Sequence, residues 1–435
     1  MPEPQNPEIQ EQQHAPISAG SVITHSRRMT EKAFEFKDDG DKEEYVRKGA
    51  QLFQKLITEF PGASDFQFRT DLFVYVQKGR SCTPWADGYR LRAPDVAGLL
   101  IALYRSKSGG LRDTDAQNFS RQEKELMDTL AKDKKHNFAC EGSEFEILKQ
   151  GRIRGQAFFD HRGLAITCRI LNERIVPLED LRFSPDTAET LKSLVQKRSG
   201  LGLITGVTGA GKSTTLAALV AFIKDHLSKH VVTIEDPVEY TFSDLKEGAG
   251  EVCNSLITQR EVGIKVDSFE QGLEDALREK PDIIMVGEIR SKRTMQTALE
   301  AVQSGHLVLS TMHTRGAAQT LARILEWFPK DDAEAILGQL SETLLFVLSQ
   351  DLFPNANNNR DLVLCYELLV NTSTDMSSAI KKFHTSSNVI DAQILGQNGG
   401  IAWDTNLKLL VDTGNVTPEF AKNHYRKNPA PDSID

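Results

Sequence analysis

No run of this 435-residue chain reaches the ~18–20 consecutive apolar residues that a membrane-spanning helix needs. Its N-terminus lacks the basic, apolar and small-residue order of a signal peptide, so any membrane association is expected to be peripheral. Cysteine is scarce: the five residues Cys82, Cys140, Cys168, Cys253 and Cys365 form no C-x-x-C pair. Such a set excludes a disulfide framework and a clustered zinc site, and a reducing, cytoplasmic compartment is expected. Strong charge of either sign is also missing. A formal net charge of -9 gives no general attraction to nucleic acid, and no stretch interleaves aromatic with basic residues as strand-binding platforms do. What is left, 39% hydrophobic and 26% charged residues, describes a soluble globular protein with room for two or three domains.

The most informative stretch is Leu201-Gly-Leu-Ile-Thr-Gly-Val-Thr-Gly-Ala-Gly-Lys-Ser-Thr-Thr215. Gly206, Gly211, Lys212 and Ser213 fit G-x-x-x-x-G-K-[ST], the phosphate-cradling P-loop. Glycines let the backbone wrap phosphates with its N–H groups pointing inward, and the following helix presents its positive N-terminus. The flanks fit as well, with residues 201–205 reading as a buried strand and 214–227 as a helix. Gly206, Thr208, Gly209, Ala210, Gly211, Lys212, Ser213 and Thr214 are therefore candidate nucleotide contacts, for ATP with Mg²⁺. Lys212 would reach the β/γ-phosphates and the Ser213 hydroxyl the metal.

Along the chain, residues 1–38 are rich in Gln, Glu, Pro and Ser and are expected to be disordered. Residues 39–175 mix helical spacing (Leu52, Phe53, Leu56, Ile57, Phe60) with strand alternation (Phe66, Phe68, Leu72, Val74, Val76) and read as an α+β domain. Within it, Lys132, Lys134 and Lys135 fit a solvated helical face, with nucleic-acid contact as the minor reading. A linker is expected at 176–186. From 187 to 370, apolar runs at 201–205, 231–234, 283–286 and 307–310 alternate with helical segments, which implies a mostly parallel sheet. Residues 333–350 read as helix, and 371–435 as a helical C-terminal region.

Four further groups carry candidate chemistry. The second run ends in Glu235, Asp236 and Glu239, where open α/β sheets place their ligands; the alternative is a polar loop with an N-cap aspartate. The third ends in Gly287-Glu-Ile-Arg290, a Walker B arrangement that makes Glu288 the candidate general base and a contact to Mg²⁺-bound water. The fourth is bracketed by His306 and His313, read either as structural or as γ-phosphate sensors at the same sheet edge. In the first domain, Arg152, Arg154 and Arg162 are either solvated or act as arginine fingers across a domain or subunit boundary.

Together these residues resemble the secretion ATPase superfamily, most closely its pilus-retraction (PilT-like) branch. The P-loop 206–215, the aspartate box 233–240, the Walker B run 282–290 and the histidine box 305–314 match in order and spacing. The segments 259–263 and 276–278, and in the first domain Gly62-Ala-Ser-Asp65 and the arginine stretch 152–162, match as well. The resemblance implies an α/β fold: a PAS-like N-terminal domain joined to a RecA-like core with a helical tail. It implies a homohexameric, Mg²⁺-dependent ATPase in the cytoplasm, docked peripherally on an inner-membrane platform protein and driving type IV pilus dynamics. Family roles fall on Glu288 as catalytic glutamate, Glu235 as its partner, His313 and His306 in the histidine box, and Arg152, Arg154 and Arg162 as arginine contacts. Asp375-Met-Ser-Ser-Ala-Ile-Lys-Lys-Phe383 departs from the A-I-R-N-L-I-R segment of retraction ATPases, and the four-cysteine zinc element of extension and type II secretion ATPases is missing. A conjugation or type IVB secretion (DotB-like) ATPase is therefore the alternative, and a nucleic-acid motor a further one.

Overall fold

The computed structural model describes residues 29–60, 63–78, 81–106, 116–141, 152–171, 175–242, 252–263, 265–358, 361–384, 388–395 and 399–426. It divides into two compact units, Met1–Asn172 and Glu173–Asp435. Among the described residues no helix is long and apolar enough to cross a membrane.

The first unit is built on a six-stranded sheet in the order β3-β2-β1-β6-β5-β4. These strands are β1 (Asp65–Arg69), β2 (Tyr75–Lys78), β3 (Ser81–Pro84), β4 (Lys135–Glu141), β5 (Arg152–Asp160) and β6 (Gly163–Leu171), and every pairing is antiparallel. Phe66 and Phe68 on β1 and Ile166 and Cys168 on β6 share one core with Phe53 and Leu56 of the helix Asp39–Glu59 and with Leu99, Leu100 and Leu103 of the helix Ala93–Ser106. Alternation along β1 thus covers the face that carries these helices. The expected disorder through residue 38 fails at its end. Residues 29–33 are helical, Ala33 is buried in this core, and Phe34 and Phe36 pack against it. Their apolar surface supplies what the Gln-rich residues before them lack; residues 1–28 lie outside the described set.

In the second unit seven strands run in the order β13-β12-β7-β11-β10-β8-β9. They are β7 (Gly200–Thr205), β8 (His230–Glu235), β9 (Leu256–Glu261), β10 (Ile283–Val286), β11 (Leu307–Met312), β12 (Leu344–Pro354) and β13 (Leu362–Val370). All neighbours pair in parallel except β12 with β13. Helices cover both faces. Val232, Ile234, Ile284, Val286, Val308 and Met312 pack towards the helices Phe269–Ala276, Lys292–Gln303, Ala317–Glu326 and Ala333–Thr343. Their neighbours Val231, Ile283, Met285, Leu307 and Leu309 pack with the helices Pro185–Val195 and Lys212–His226. Strands buried on both faces are why these runs are continuously apolar rather than alternating.

Two expectations need correction here. Residues 344–354 are strand, not the continuation of a helix, and 362–370 form another strand. Leu344-Leu-Phe-Val-Leu348 is apolar at every position, so its periodicity cannot separate a buried strand from a buried helix. The segment 176–186 is not a free linker either: Leu178 and Phe183 are buried with Leu191, Leu194 and Leu219 in the second unit.

Candidate active site

The site grows from the carboxyl end of β7. The chain leaves the strand at Gly206, crosses a loop with Thr208 and Gly209 exposed and Ala210 buried, and enters the helix Lys212–His226 through Gly211. Gly206 is required by its surroundings: its φ is 148°, and a Cβ there would lie 2.2 Å from the backbone oxygen of Gln350 on β12. Gly211, at φ 82°, takes the left-handed turn that starts the helix.

Lys212 is 8% exposed, and its ammonium donates to the carbonyls of Gly206 and Val207, both at 2.9 Å. Burial pushes its pKa down, against the pull of Glu288, Glu239 and Asp351. Among the described residues no carboxylate lies within ion-pair distance of Lys212, so one donor of a three-donor cation is left for an incoming anion. That is the condition a phosphate satisfies. Ser213 is exposed at the first turn of the same helix, and no cluster of three metal-ligating side chains occurs among the described residues. This donor set suits Mg²⁺, which keeps waters and phosphate oxygens and uses one or two protein ligands.

Glu288 lies beyond the end of β10, two strands from β7. Its loop is tied to the adjacent strand by Thr311 Oγ1 donating to the Gly287 carbonyl at 2.7 Å and by Ile289 N–H donating to Thr311 at 3.0 Å. The Glu288 side chain is 12% exposed and sits between Arg290 and His313, with His313 Nε2 at 3.3 Å. Burial and the Lys212 charge hold the His313 pKa below its ordinary value, although Glu288 pulls the other way. A neutral ring that donates its Nε2–H to Glu288 keeps Nδ1 as an acceptor.

Glu235 ends β8, the strand beside β10. It is buried, and its Oε1 accepts from Thr233 Oγ1 at 2.7 Å and Gln259 Nε2 at 3.1 Å. Burial pushes its pKa up, while these two donors and the Glu239 backbone N–H pull it down. Its Oε1 is thus occupied by two protein donors. The same Gln259 also donates to the Tyr240 carbonyl at 2.8 Å, and the Tyr240 hydroxyl bonds to Thr214 Oγ1 at 3.0 Å. The aspartate-box loop is thereby fastened to the first turn of the P-loop helix.

His306 is not part of this cluster, which corrects its expected place. It precedes β11, whereas His313 follows it, and in a parallel sheet those are opposite edges, about 20 Å apart for six residues of strand. Its Nδ1 is engaged by the Ala301 carbonyl at 2.9 Å and Ser304 Oγ at 3.1 Å, so it fastens the helix end to the strand start. In the first unit, residues 152 and 154 share a face of β5, Arg154 is exposed, and Arg162 is exposed in the turn to β6, its backbone N–H donating to Asp160 at 2.7 Å.

Two residues that the sequence did not single out belong to the site. Gln350 is 2% exposed; its Nε2 donates to the Ala210 carbonyl at 2.6 Å and its Oε1 accepts from Thr215 Oγ1 at 3.0 Å. The other is Tyr240. Gln350 lies outside every motif and Tyr240 closes the 233–240 box without a role read for it; only their partners, far away in sequence, reveal what they do.

The profile of the family described as Type II/IV secretion system protein matches residues 149–393, more than half of the chain. The chain belongs to that family. Among proteins of this kind, YggR of Escherichia coli, itself called uncharacterized, is 42% identical over 226 residues, 52% of this chain and 65% of that protein, just under two thirds of its length. The type IV pilus retractation ATPase PilT of Pseudomonas aeruginosa is 35% identical over 278 residues, 64% of this chain and 76% of the relative. A crystal structure of the pilus retraction motor PilT with bound ADP superposes with a TM-score of 0.70 at 29% identity, over 87% of this chain and 97% of that one. The α/β architecture of this secretion-family chain is thus shared with that structure over most of the chain.

Proposed function

We propose that this secretion-family chain is an Mg²⁺-dependent ATPase that works as a homohexameric motor at the cytoplasmic side of an inner membrane. It would power retraction of a type IV pilus or a closely related secretion machine. The single observation that carries the reading is Lys212: a buried ammonium with a free donor, set in a glycine loop and within electrostatic reach of Glu288 and His313. A buried cation left without an anion is costly, and a nucleotide's phosphates supply one. Relatives named for pilus retraction, one of them with bound ADP, support the choice of nucleotide and machine.

In this reading the loop N–H groups and Lys212 hold the β- and γ-phosphates. Ser213 would hold the metal, whose charge offsets that of the phosphates. Glu288, fixed by Arg290 and neutral His313, accepts the proton of the water that attacks the γ-phosphorus as the bond to ADP breaks. Arg154 and Arg162, with Arg152, would contribute charge to a neighbouring subunit's site, which makes a closed ring the functional unit. Light scattering with ATP should report a hexamer-sized particle whose turnover stops on chelation of divalent metal; a strict monomer hydrolysing at full rate would contradict the ring. Stimulation many-fold by single-stranded DNA would favour a nucleic-acid motor instead.

A further inference from the structure

We infer that Gln350 is a positioning residue that sets the phosphate loop in its binding shape; the inference rests on the nucleotide reading above. β12 runs parallel to β7 with Ser349 opposite Thr205, so Gln350 comes level with the start of the loop. One residue then grips the loop at both ends. Its backbone oxygen lies where any Cβ on Gly206 would have to go, 2.2 Å away. Its side-chain amide reaches the far end, donating to the Ala210 carbonyl at 2.6 Å and accepting from Thr215 Oγ1 at 3.0 Å.

The peptide geometry turns this grip into an effect on the ligand. In a trans peptide the carbonyl of one residue and the N–H of the next point in opposite directions. Holding the Ala210 carbonyl on Gln350 therefore aims the Gly211 N–H away from β12 and into the cradle. The Ala210 carbonyl can only accept and so holds Nε2 towards the loop, while the Thr215 hydroxyl supplies the donor that the buried Oε1 needs. Gln350 is buried, with no room to swing out, so the loop carries this arrangement before a nucleotide arrives. Gln350 touches no phosphate in this account; it acts through the loop backbone.

The test uses the full chain with ADP and a non-hydrolysable ATP analogue, measured by calorimetry, alongside KM and kcat for ATP. Gln350→Met keeps the volume and removes both hydrogen bonds, so affinity should fall and KM rise about tenfold, with kcat at saturation changed far less. Thr215→Val, which leaves the buried Oε1 without its donor and loosens the amide's hold on Ala210, should show the same split, and Thr215→Ser should keep wild-type affinity. If Gln350→Met does not fold, the Thr215 pair decides the matter. Wild-type affinity in Gln350→Met, or equal losses in Thr215→Val and Thr215→Ser, would overturn the inference. A wild-type chain that binds neither nucleotide would overturn the site's reading itself, and is told apart because no variant is needed to see it.

Discussion

Replacing Glu288 with glutamine keeps the side chain's shape and removes the oxygen proposed to take the water's proton. The structure limits what else changes. Arg290, the partner on one side, is 68% exposed, so losing its ion pair alters stability by less than about 1 kcal/mol. His313 can still donate Nε2–H to the amide oxygen. Folding and ATP affinity should therefore survive, while the chemical step slows by roughly 10²–10⁴-fold, a barrier increase of about 3–5 kcal/mol. Glu235→Gln is the contrasting perturbation. Its Oε1 keeps Thr233 and Gln259, but the new amide faces the Glu239 backbone N–H, two donors in a buried space. That costs about 1–3 kcal/mol of stability and slows chemistry about tenfold at most. Single-turnover hydrolysis, ATP affinity and thermal melting, measured side by side, separate the two. Near-normal hydrolysis in Glu288→Gln with severe loss in Glu235→Gln would reverse the roles.

Three more outcomes follow from particular contacts. The Thr294 and Ser291 hydroxyls hold the Glu270 carboxyl down at about 2 from its ordinary 4.5, so the stability it contributes is complete above pH 4.5 and is lost as pH falls towards 2. Acid titration of Glu270→Gln should lack that part of the slope; an unchanged slope would show that the carboxylate is not held this way. Gly206→Ala places a Cβ against the Gln350 backbone at a φ of 148°, and should lose about 1–3 kcal/mol in a urea titration as well as nucleotide affinity. Arg426 lies 3.7 Å over the Trp403 ring and 3.3 Å from buried Glu367; Arg426→Ala should cost about 3 kcal/mol, much of it recovered by Glu367→Gln, which removes the stranded charge.

The P-loop and Walker B strand were legible because their chemistry depends on fixed short spacings: Gly211, Lys212 and Ser213 adjoin, and Glu288 comes two residues after its strand. The parallel sheet was legible from uniformly apolar runs such as residues 283–286. That same uniformity hid β12, since a run buried on both faces has no period to read. His306 was misplaced because flanking a strand looks in one dimension like sharing an edge, whereas six residues of strand put its ends at opposite edges. The roles of Gln350 and Tyr240 were out of reach for another reason. Each does its work through a partner distant in sequence, Gln350 through Ala210 and Thr215 and Tyr240 through Thr214, and only the folded sheet makes them neighbours.

Lys212 keeps one ammonium donor for the proposed phosphate. Alanine at this position removes a buried ammonium that would offset phosphate charge, together with its two hydrogen bonds to the loop carbonyls. The most direct measurement is steady-state ATP hydrolysis and ATP affinity of the wild-type chain against Lys212→Ala, both shown to be folded. The account predicts turnover in the wild type and loss of both binding and turnover in the variant. Wild-type turnover by Lys212→Ala at saturating ATP would contradict it.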